Sequence, residues 1–270
     1  MISSHANSQV KQIRKLRERK ERQQTGLFYV EGLRIVAEAL QLGAPIQELV
    51  YSPDLLVSEF GRQLVQQASQ QGIVLLEVTG DVFQSIAQKD GPQGIGAVIH
   101  QQWAPLDQIR PGETDTWVAL DSVADPGNLG TILRTNDAVC GAGVILLDQS
   151  TDPYDLTAVR ASMGALFAQK LARASFEQFE HWVKEQGLPV TGTSDSAQLD
   201  YHACVYPGRM VLLMGSERQG LKPHHLKLCD QVVRIPMYGR GDSLNLAVAT
   251  AVMLYELFNQ RREKAPDHEE

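Results

Sequence analysis

The second half of the chain alternates strongly apolar segments with segments of helical pattern. Apolar segments of this kind leave neither face of a strand suited to water, so they predict a parallel sheet with helices on both faces. The predicted strands are residues 117–123, 143–147, 190–193, 210–214 and 232–235, and a long helix follows at residues 244–260. The second half is therefore predicted to be an α/β domain over residues 116–260.

The first hundred residues carry a smaller pattern of the same class. Short apolar segments alternate with two amphipathic helices, of which the first is ended by Gly43 and Pro45. The predicted strands are residues 28–30, 49–51, 73–78 and 94–100, and the second helix is residues 60–71. This pattern predicts a small α/β domain at residues 26–100. A polar segment with two prolines, residues 101–115, is predicted as the linker between the domains, and residues 261–270 as a disordered tail.

A basic segment, residues 1–25, precedes the first domain and lacks Gly and Pro, so a helix is predicted over residues 10–24. The net charge of −7 argues against a uniformly basic nucleic-acid-binding protein, but phosphate contacts are local. A solvated helix face is an equally good interpretation. The candidate phosphate-binding residues are Lys11, Arg14, Lys15, Arg17 and Arg19, with Lys20 and Arg22 beside them.

Several classes of protein lack their sequence signature here. Cys140, Cys204 and Cys229 form no CxxC pair, which indicates reduced thiols in the cytoplasm. The seven histidines show no metal-ligand spacing, so no metal is expected. No apolar run reaches the roughly 18–20 residues of a membrane-spanning helix, and no secretory signal begins the chain. The glycine-rich phosphate-binding fingerprints are absent from the sequence as well.

Three segments place glycines and polar residues after predicted strands, at the edge where parallel α/β sheets bind ligands. In the first, residues 120–138, an Asp-Pro-Gly turn leads into a helix that begins near Asn128 and carries Arg134 about two turns later. A capped helix with a surface salt bridge would account for Asn128, but less well for Arg134.

In the second segment, residues 212–221, an apolar strand stops at Gly215 and continues into Ser216 and Glu217. Glycines at such a point let the backbone approach a ligand closely. A plain strand-to-helix turn with Ser216 as N-cap fits the pattern equally well.

The third segment, residues 234–257, contains a glycine-rich loop followed by a long apolar helix. Asp242 or Ser243 is predicted as the N-cap of that helix, with Asn245 one step inside it. Because Asn is unfavourable in a helix interior, Asn245 indicates a functional role.

The chain resembles the SpoU (TrmH) branch of the SPOUT RNA methyltransferases at three motifs in the family's order: DPGNLGTILRT, LLMGSERQGL and IPMYGRGDSLNLAVATAVMLYE. A further stretch, RASMGALF at residues 160–167, is typical of the same family. FYVEGLRIVAEAL resembles the N-terminal substrate-binding domain of rRNA-directed members, so the likeness spans roughly residues 8–258. Together the ordered motifs are specific, whereas each alone is not.

The resemblance implies a SPOUT α/β domain whose C-terminal segment passes through a loop as a deep trefoil knot. It also implies a homodimer with the site near the interface. S-adenosylmethionine would be the cofactor, held mainly by the backbone of the second and third motifs. By position in these motifs, the cofactor-binding residues are Leu213, Gly215, Ile235, Met237 and Leu244.

The resemblance further implies transfer of a sulfonium methyl group to a ribose 2'-hydroxyl of RNA. The matching catalytic positions are Asn128, Arg134, Glu217, Ser243 and Asn245. A guanidinium is essentially never deprotonated in proteins, so Arg134 is expected to hold a phosphate and stabilise the developing alkoxide rather than act as the base.

Two departures from the family pattern stand out. Arg218 and Gln219 follow Glu217, where the family usually has glycine, which can alter the cofactor pocket's rim or add a phosphate contact. The segment before RASMGALF reads Leu-Thr-Ala-Val, without the common Pro-Lys pair, so no RNA contact is assigned there.

The sequence thus predicts a cytoplasmic rRNA (23S-type) 2'-O-methyltransferase. A tRNA substrate and a non-catalytic RNA-binding or ribosome-assembly role on the same scaffold remain alternatives. An unrelated nucleotide-binding α/β enzyme is disfavoured by the absent phosphate loops.

Overall fold

The structure is a computed structural model, and it describes residues 1–88, 91–241 and 243–264. The chain forms two compact units. The first is Met1–Gln102 with Asp152–Ala168, and the second is Trp103–Thr151 with Gln169–Glu270.

The first unit is an α/β domain with a four-stranded sheet of order β1-β4-β2-β3. Its strands are β1 (Leu27–Glu31), β2 (Ile46–Tyr51), β3 (Val74–Glu77) and β4 (Ile95–His100). Its helices are α1 (Ser8–Lys15), α2 (Arg19–Thr25), α3 (Leu33–Gln41), α4 (Glu59–Gln70) and α5 (Gly80–Ile86). Strand β4 runs antiparallel to β1 and β2, while β2 and β3 are parallel.

All four predicted strands of the first unit are present, close to their predicted bounds. Helix α5 was not predicted, because it is short and its N-cap Thr79 was not recognised. Val10 and Ile13 of α1 pack with Val82 and Phe83 of α5 in one buried apolar cluster. The basic segment therefore belongs to the core of this unit and is not a separate arm.

The helix predicted over residues 10–24 is interrupted, so that α1 and α2 are separate helices. The side chain of Arg22 explains the break. Its Nη1 donates to the carbonyl oxygens of Leu16 at 2.9 Å and Arg17 at 2.7 Å. A continuous helix would use these two carbonyls for its own backbone hydrogen bonds.

The segment Asp152–Ala168 packs within the first unit although it lies in the predicted domain 116–260. It contains α7 (Leu156–Ser162) and the RASMGALF stretch. Arg160 forms an ion pair with Glu31, and the ring of Phe28 lies 4.6 Å from that of Tyr154. Sequence order alone does not reveal that this segment belongs to the first unit, because its placement depends on contacts between residues far apart in the sequence.

The second unit is built on a seven-stranded sheet of order β7-β6-β5-β10-β8-β11-β9. Its strands are β5 (Thr116–Asp121), β6 (Gly143–Leu147), β7 (Leu171–Ala174), β8 (Val190–Thr193), β9 (Leu199–Asp200), β10 (Met210–Met214) and β11 (Gln231–Arg234). Every pairing between these strands is parallel. The predicted α/β class and mostly parallel sheet are confirmed.

Helices cover the sheet of the second unit, as its apolar strands require. They are α6 (Pro126–Ala138), α8 (Phe176–Gln186), α9 (Pro223–Leu228) and α10 (Leu246–Lys264). Phe179 and Trp182 of α8 pack against Trp117 of β5 in one cluster, while α6 and α10 contact each other. Because β5, β8, β10 and β11 are parallel neighbours in the sheet, their carboxyl ends lie at one edge.

Two predicted boundaries of the second unit are wrong in detail. The predicted linker 101–115 is mostly part of this unit, because Leu106 and Ile109 are buried in its core. Helix α10 extends into the predicted tail as far as Lys264, since Arg261 donates to the carbonyl oxygens of Thr114 and Val139, both at 3.0 Å. The rest of that tail, residues 265–270, lies outside the described residues.

Candidate active site

A cavity of about 680 Å³ lies at the carboxyl ends of β8, β10 and β11. This is the edge at which parallel α/β sheets bind ligands, and the volume is within the roughly 300–1,000 Å³ of small-molecule sites. The walls come from the loops that follow these three strands and from the start of α10. They include Thr193–Asp195, Met214–Leu221, Val233–Ile235, Met237, Ser243–Leu246 and Ala249, together with Asn128 of α6.

The cavity loop, residues 215–221, folds back on itself directly after β10. Ser216 and Gly220 form an isolated antiparallel bridge. A Cβ atom on Gly215 would lie 2.1 Å from the carbonyl carbon of Gly220, and Gly220 has a φ of +60°. Gly215 is therefore required for the loop to close, because a side chain there would force its two arms apart, and the positive φ at Gly220 favours glycine.

Glu217 joins the cavity loop to the connection between β5 and α6. Its carboxylate accepts hydrogen bonds from the backbone N–H of Ala124 at 3.1 Å and of Asp125 at 3.3 Å. It also accepts one from the Nδ2 of Asn128 at 3.2 Å. Partial burial raises the pKa of Glu217, but the hydrogen bonds from backbone N–H groups and from the Asn128 amide outweigh it, so the pKa lies below its ordinary value. Glu217 is thus held as a carboxylate that binds protein N–H groups.

Asn128 and Asn245 continue this network across the cavity. The Nδ2 of Asn245 donates to the Oδ1 of Asn128 at 2.9 Å. The Oδ1 of Asn245 accepts from the backbone N–H of Ala247 at 2.9 Å and of Val248 at 3.3 Å. One chain of hydrogen bonds therefore connects all three motifs through Glu217, Asn128 and Asn245.

The predicted cap of the long helix is wrong. Asn245 is the residue before the first turn of α10 and its side chain binds the N–H groups of that turn, so Asn245 is the N-cap. Ser243 lies outside the helix and lines the cavity, and Asp242 lies outside the described residues. The helix begins two residues later than predicted because capping geometry selects one of several residues able to cap.

Four of the five residues predicted to bind a cofactor line the cavity: Gly215, Ile235, Met237 and Leu244. Leu213 does not. Its side chain is fully buried in the apolar cluster on one face of the sheet, whereas its neighbour Met214 reaches the cavity. Alternation of side chains along a strand accounts for the difference.

Arg134 is the one predicted catalytic residue that does not line the cavity. It is exposed on α6, and no hydrogen bond or ion pair to its guanidinium occurs within the described part of the chain. Arg134 comes six positions after Asn128 in the helix, which places it about 9 Å further along the axis and about 120° around the helix.

The basic segment is not uniformly available for phosphate binding. Arg22 is buried and forms ion pairs with Asp152 at 2.7 Å and Asp155 at 3.3 Å. Arg17 donates to the carbonyl oxygens at the end of α5, and Arg14 donates to that of His5. The side chains of the other three candidates, Lys11, Lys15 and Arg19, are exposed.

Sequence reasoning missed several cavity residues: Thr193, Ser194, Asp195 and Arg234. The signal was present for the first three, because a polar run begins at the last residue of the predicted strand 190–193 and continues past the carboxyl edge of the sheet. Arg234 is engaged by Asp200 through a 2.7 Å contact of its Nε. This pairing depends on the two-residue strand β9, which has no sequence signature of its own.

No group of three or more His, Cys, Asp or Glu side chains is arranged to hold a metal ion anywhere in residues 1–88, 91–241 and 243–264. Within those same ranges, no helix combines the length and the apolar character needed to cross a membrane.

The second unit is thus a parallel α/β domain with a small-molecule cavity whose walls are tied together by three motifs. Residues 115–255 match the SpoU rRNA Methylase family, and residues 7–97 match the MRM3-like substrate binding domain. The chain belongs to the SpoU rRNA methylase family.

Proteins named as rRNA methyltransferases resemble the chain over nearly its full length. It is 31% identical to the 23S rRNA (guanosine(2553)-2'-O)-methyltransferase RlmP of Bacillus subtilis over 256 residues. That alignment covers 95% of this chain and 98% of the Bacillus subtilis protein. It is 32% identical over 250 residues to the 23S rRNA (uridine(2479)-2'-O)-methyltransferase of Streptomyces viridochromogenes, and the alignment covers 90% of this chain and 86% of that protein. The crystal structure of an AdoMet-bound rRNA methyltransferase from Sinorhizobium meliloti is 41% identical, covers 98% of each chain and superposes with a TM-score of 0.87.

Proposed function

We propose that this protein transfers a methyl group from S-adenosylmethionine to a ribose 2'-hydroxyl of 23S-type rRNA in the cytoplasm. The observation that carries the proposal is the cavity at the carboxyl edge of the sheet, joined through Glu217, Asn128 and Asn245 to all three family motifs. The relatives named as 23S rRNA 2'-O-methyltransferases support the reaction and the substrate class.

The cavity fits S-adenosylmethionine in size and in chemistry. Met214, Ile235 and Leu246 supply apolar surface for a flat base, and Thr193, Ser194 and Ser243 supply polar atoms for a ribose and an amino acid. We propose that the backbone of Gly215, Ile235, Met237 and Leu244 holds the cofactor. When bound, S-adenosylmethionine supplies a methyl group on a sulfonium, which is a good leaving group.

The protein's own residues are left to align the ribose and stabilise charge. Asn245 donates a hydrogen bond to Asn128, which in turn donates to the Glu217 carboxylate, so both asparagines present fixed amides at the cavity wall. The Arg134 guanidinium would bind the phosphate next to the reacting ribose and stabilise the developing alkoxide, because it stays protonated.

The position of Arg134 supports the proposal that the working enzyme is a homodimer. Arg134 is exposed and outside the cavity of its own chain, so a second copy would bring it to the cavity of its partner. The deep trefoil knot is part of the same proposal and rests on family membership.

The test is cofactor binding followed by methyl transfer. Titration calorimetry with S-adenosylmethionine is expected to give one binding event per chain. Tritiated methyl groups are expected to enter purified rRNA that lacks the modification, and not tRNA. Ribose-methylation mapping of total RNA with and without the protein then identifies the nucleotide. No heat of binding would reject the proposal, binding without transfer would indicate the non-catalytic alternative, and transfer to tRNA alone would reject the rRNA assignment.

Neutralising the exposed residues Lys11, Lys15 and Arg19 to Gln together is expected to weaken RNA binding by this protein. Each lost phosphate contact lowers the slope of log K against log salt by about 0.7–0.9. Filter binding at several salt concentrations measures both quantities. Replacing the exposed Lys184 of α8 by Gln is the matched control and is expected to change neither. An unchanged slope in the triple variant would remove the basic segment from the RNA-binding surface.

A further inference from the structure

A buried carboxylate stands at the end of β5, beside the cavity loop. Asp121 has no exposed surface, and its Oδ1 accepts a hydrogen bond from the Ser122 hydroxyl at 2.9 Å. Its Oδ2 accepts no hydrogen bond within the described residues. That oxygen lies 3.7 Å from the Nζ of Lys222 and 3.4 Å from the Nδ1 of His225. An isolated carboxylate at such depth is very costly, so a neighbouring cation must balance its charge.

His225 contributes little positive charge to that balance. Its Nδ1 accepts a hydrogen bond from the backbone N–H of Lys222 at 3.3 Å, which requires the unprotonated nitrogen. Burial lowers the pKa of His225, and the neighbouring Lys222 and His224 lower it further, against the opposite effect of Asp121 and Asp148. The aromatic ring of Phe176 from α8 closes the remaining side, 4.3 Å from the imidazole centre. Lys222 is therefore the main counterion of Asp121.

Lys222 directly follows the cavity loop 215–221, so its ion pair fixes the end of that loop to β5. The middle of the same loop is fixed by Glu217 to the backbone of Ala124 and Asp125. Two attachments a few residues apart thus hold the cavity loop against the connection between β5 and α6. Ser122, between these attachments, has a φ of +52°. Such a conformation is unfavourable for a serine and persists where the surroundings fix the chain.

We propose that Asp121, Lys222 and His225 are positioning residues that hold the cavity loop in the shape that binds S-adenosylmethionine. The proposal rests on the proposed function for the identity of the ligand. None of the three residues lines the cavity, so they act through the loop. Lys222 balances the carboxylate, and His225 fixes the backbone of Lys222.

The experiment compares wild type, Lys222→Met, Asp121→Asn and the double variant by calorimetry with S-adenosylmethionine. Lys222→Met leaves the buried carboxylate without its counterion and is expected to raise Kd about tenfold, an effect within the range for contacting charges. In the Asp121→Asn background the same substitution is expected to change Kd less than about threefold, because no charge remains to balance. Lys222→Arg keeps the charge and serves as the conservative control.

Rescue by the conservative variant separates this role from general destabilisation. Lys222→Arg keeps a cation beside the buried Asp121 carboxylate, so its Kd for S-adenosylmethionine is expected to stay close to that of wild type. A Kd in Lys222→Arg as high as that in Lys222→Met would contradict the counterion role.

The outcomes separate the two proposals. If wild type binds S-adenosylmethionine but Lys222→Met binds equally well, or the two single effects simply add, the positioning role is wrong and the proposed function stands. If wild type does not bind, the proposed function is wrong. Should Lys222→Met fail to fold, the test is the comparison of Asp121→Asn with the double variant. A large difference between their Kd values would overturn the proposal.

Discussion

Replacing Arg22 by alanine is expected to lower the free energy of unfolding of the first unit by about 3–5 kcal/mol, the cost of leaving a buried charge without its partner. Arg22 is 3% exposed and Asp152 is 7% exposed, so water cannot take the place of the lost guanidinium. The same guanidinium also binds the carbonyl oxygens of Leu16 and Arg17. Urea unfolding followed by circular dichroism measures the loss.

Lys20 provides the matched control for this prediction, because it lies two residues away in α2 and is exposed. Lys20→Ala is expected to change stability by no more than about 0.5 kcal/mol, as is usual for surface substitutions. Hydrogen exchange of residues 152–168 is expected to rise in Arg22→Ala alone. Equal stability of the two variants would mean that the ion pair is not formed in solution.

Arg22 also illustrates what the sequence could not predict. It is one of seven basic residues in a short segment, and nothing in the local sequence distinguishes it from the others. Its carboxylate partner Asp152 lies 130 positions later. Charge patterning identifies a basic segment, but only tertiary packing decides which members face solvent. The same limit applies to Asp121, whose counterion Lys222 comes from a different part of the second unit.

The strands were predicted best where they are continuous and apolar. Residues 143–147 and 210–214 form strands at their predicted bounds, because burial on both faces leaves an unambiguous apolar run. Strand β9 has only two residues and is defined by its pairing with β11, which no local pattern encodes.

The sequence predicted which residues form the candidate site better than it predicted how they contact one another. The motifs identified Asn128, Glu217, Ser243 and Asn245, which the structure brings together at one cavity. They did not show that Asn245 caps α10 while bonding to Asn128, since several residues before that helix have side chains able to cap. Helix-capping choice depends on backbone angles that are set by the loop before it.

Replacing Arg134 by alanine is expected to reduce methyl transfer by about 100–1,000-fold, the usual loss when one group that stabilises developing charge is removed. The Kd of S-adenosylmethionine is expected to stay unchanged, because Arg134 does not line the cavity. Single-turnover transfer and calorimetry measure the two quantities separately. Lys184→Ala, on the surface of α8, is the control and should affect neither.

A mixed dimer then tests where Arg134 acts. Gly215→Ala is expected to prevent S-adenosylmethionine binding in its own chain, because the added Cβ clashes with the backbone of Gly220 and distorts the cavity loop. In a heterodimer of Arg134→Ala with Gly215→Ala, an Arg134 that serves the partner's cavity leaves one complete site, so methyl transfer returns to about half of the wild-type rate. An Arg134 that serves its own cavity leaves none. Recovery requires both copies in one assembly, so it would establish that the site is completed by the second chain, and continued inactivity would place Arg134 and its cavity in the same chain.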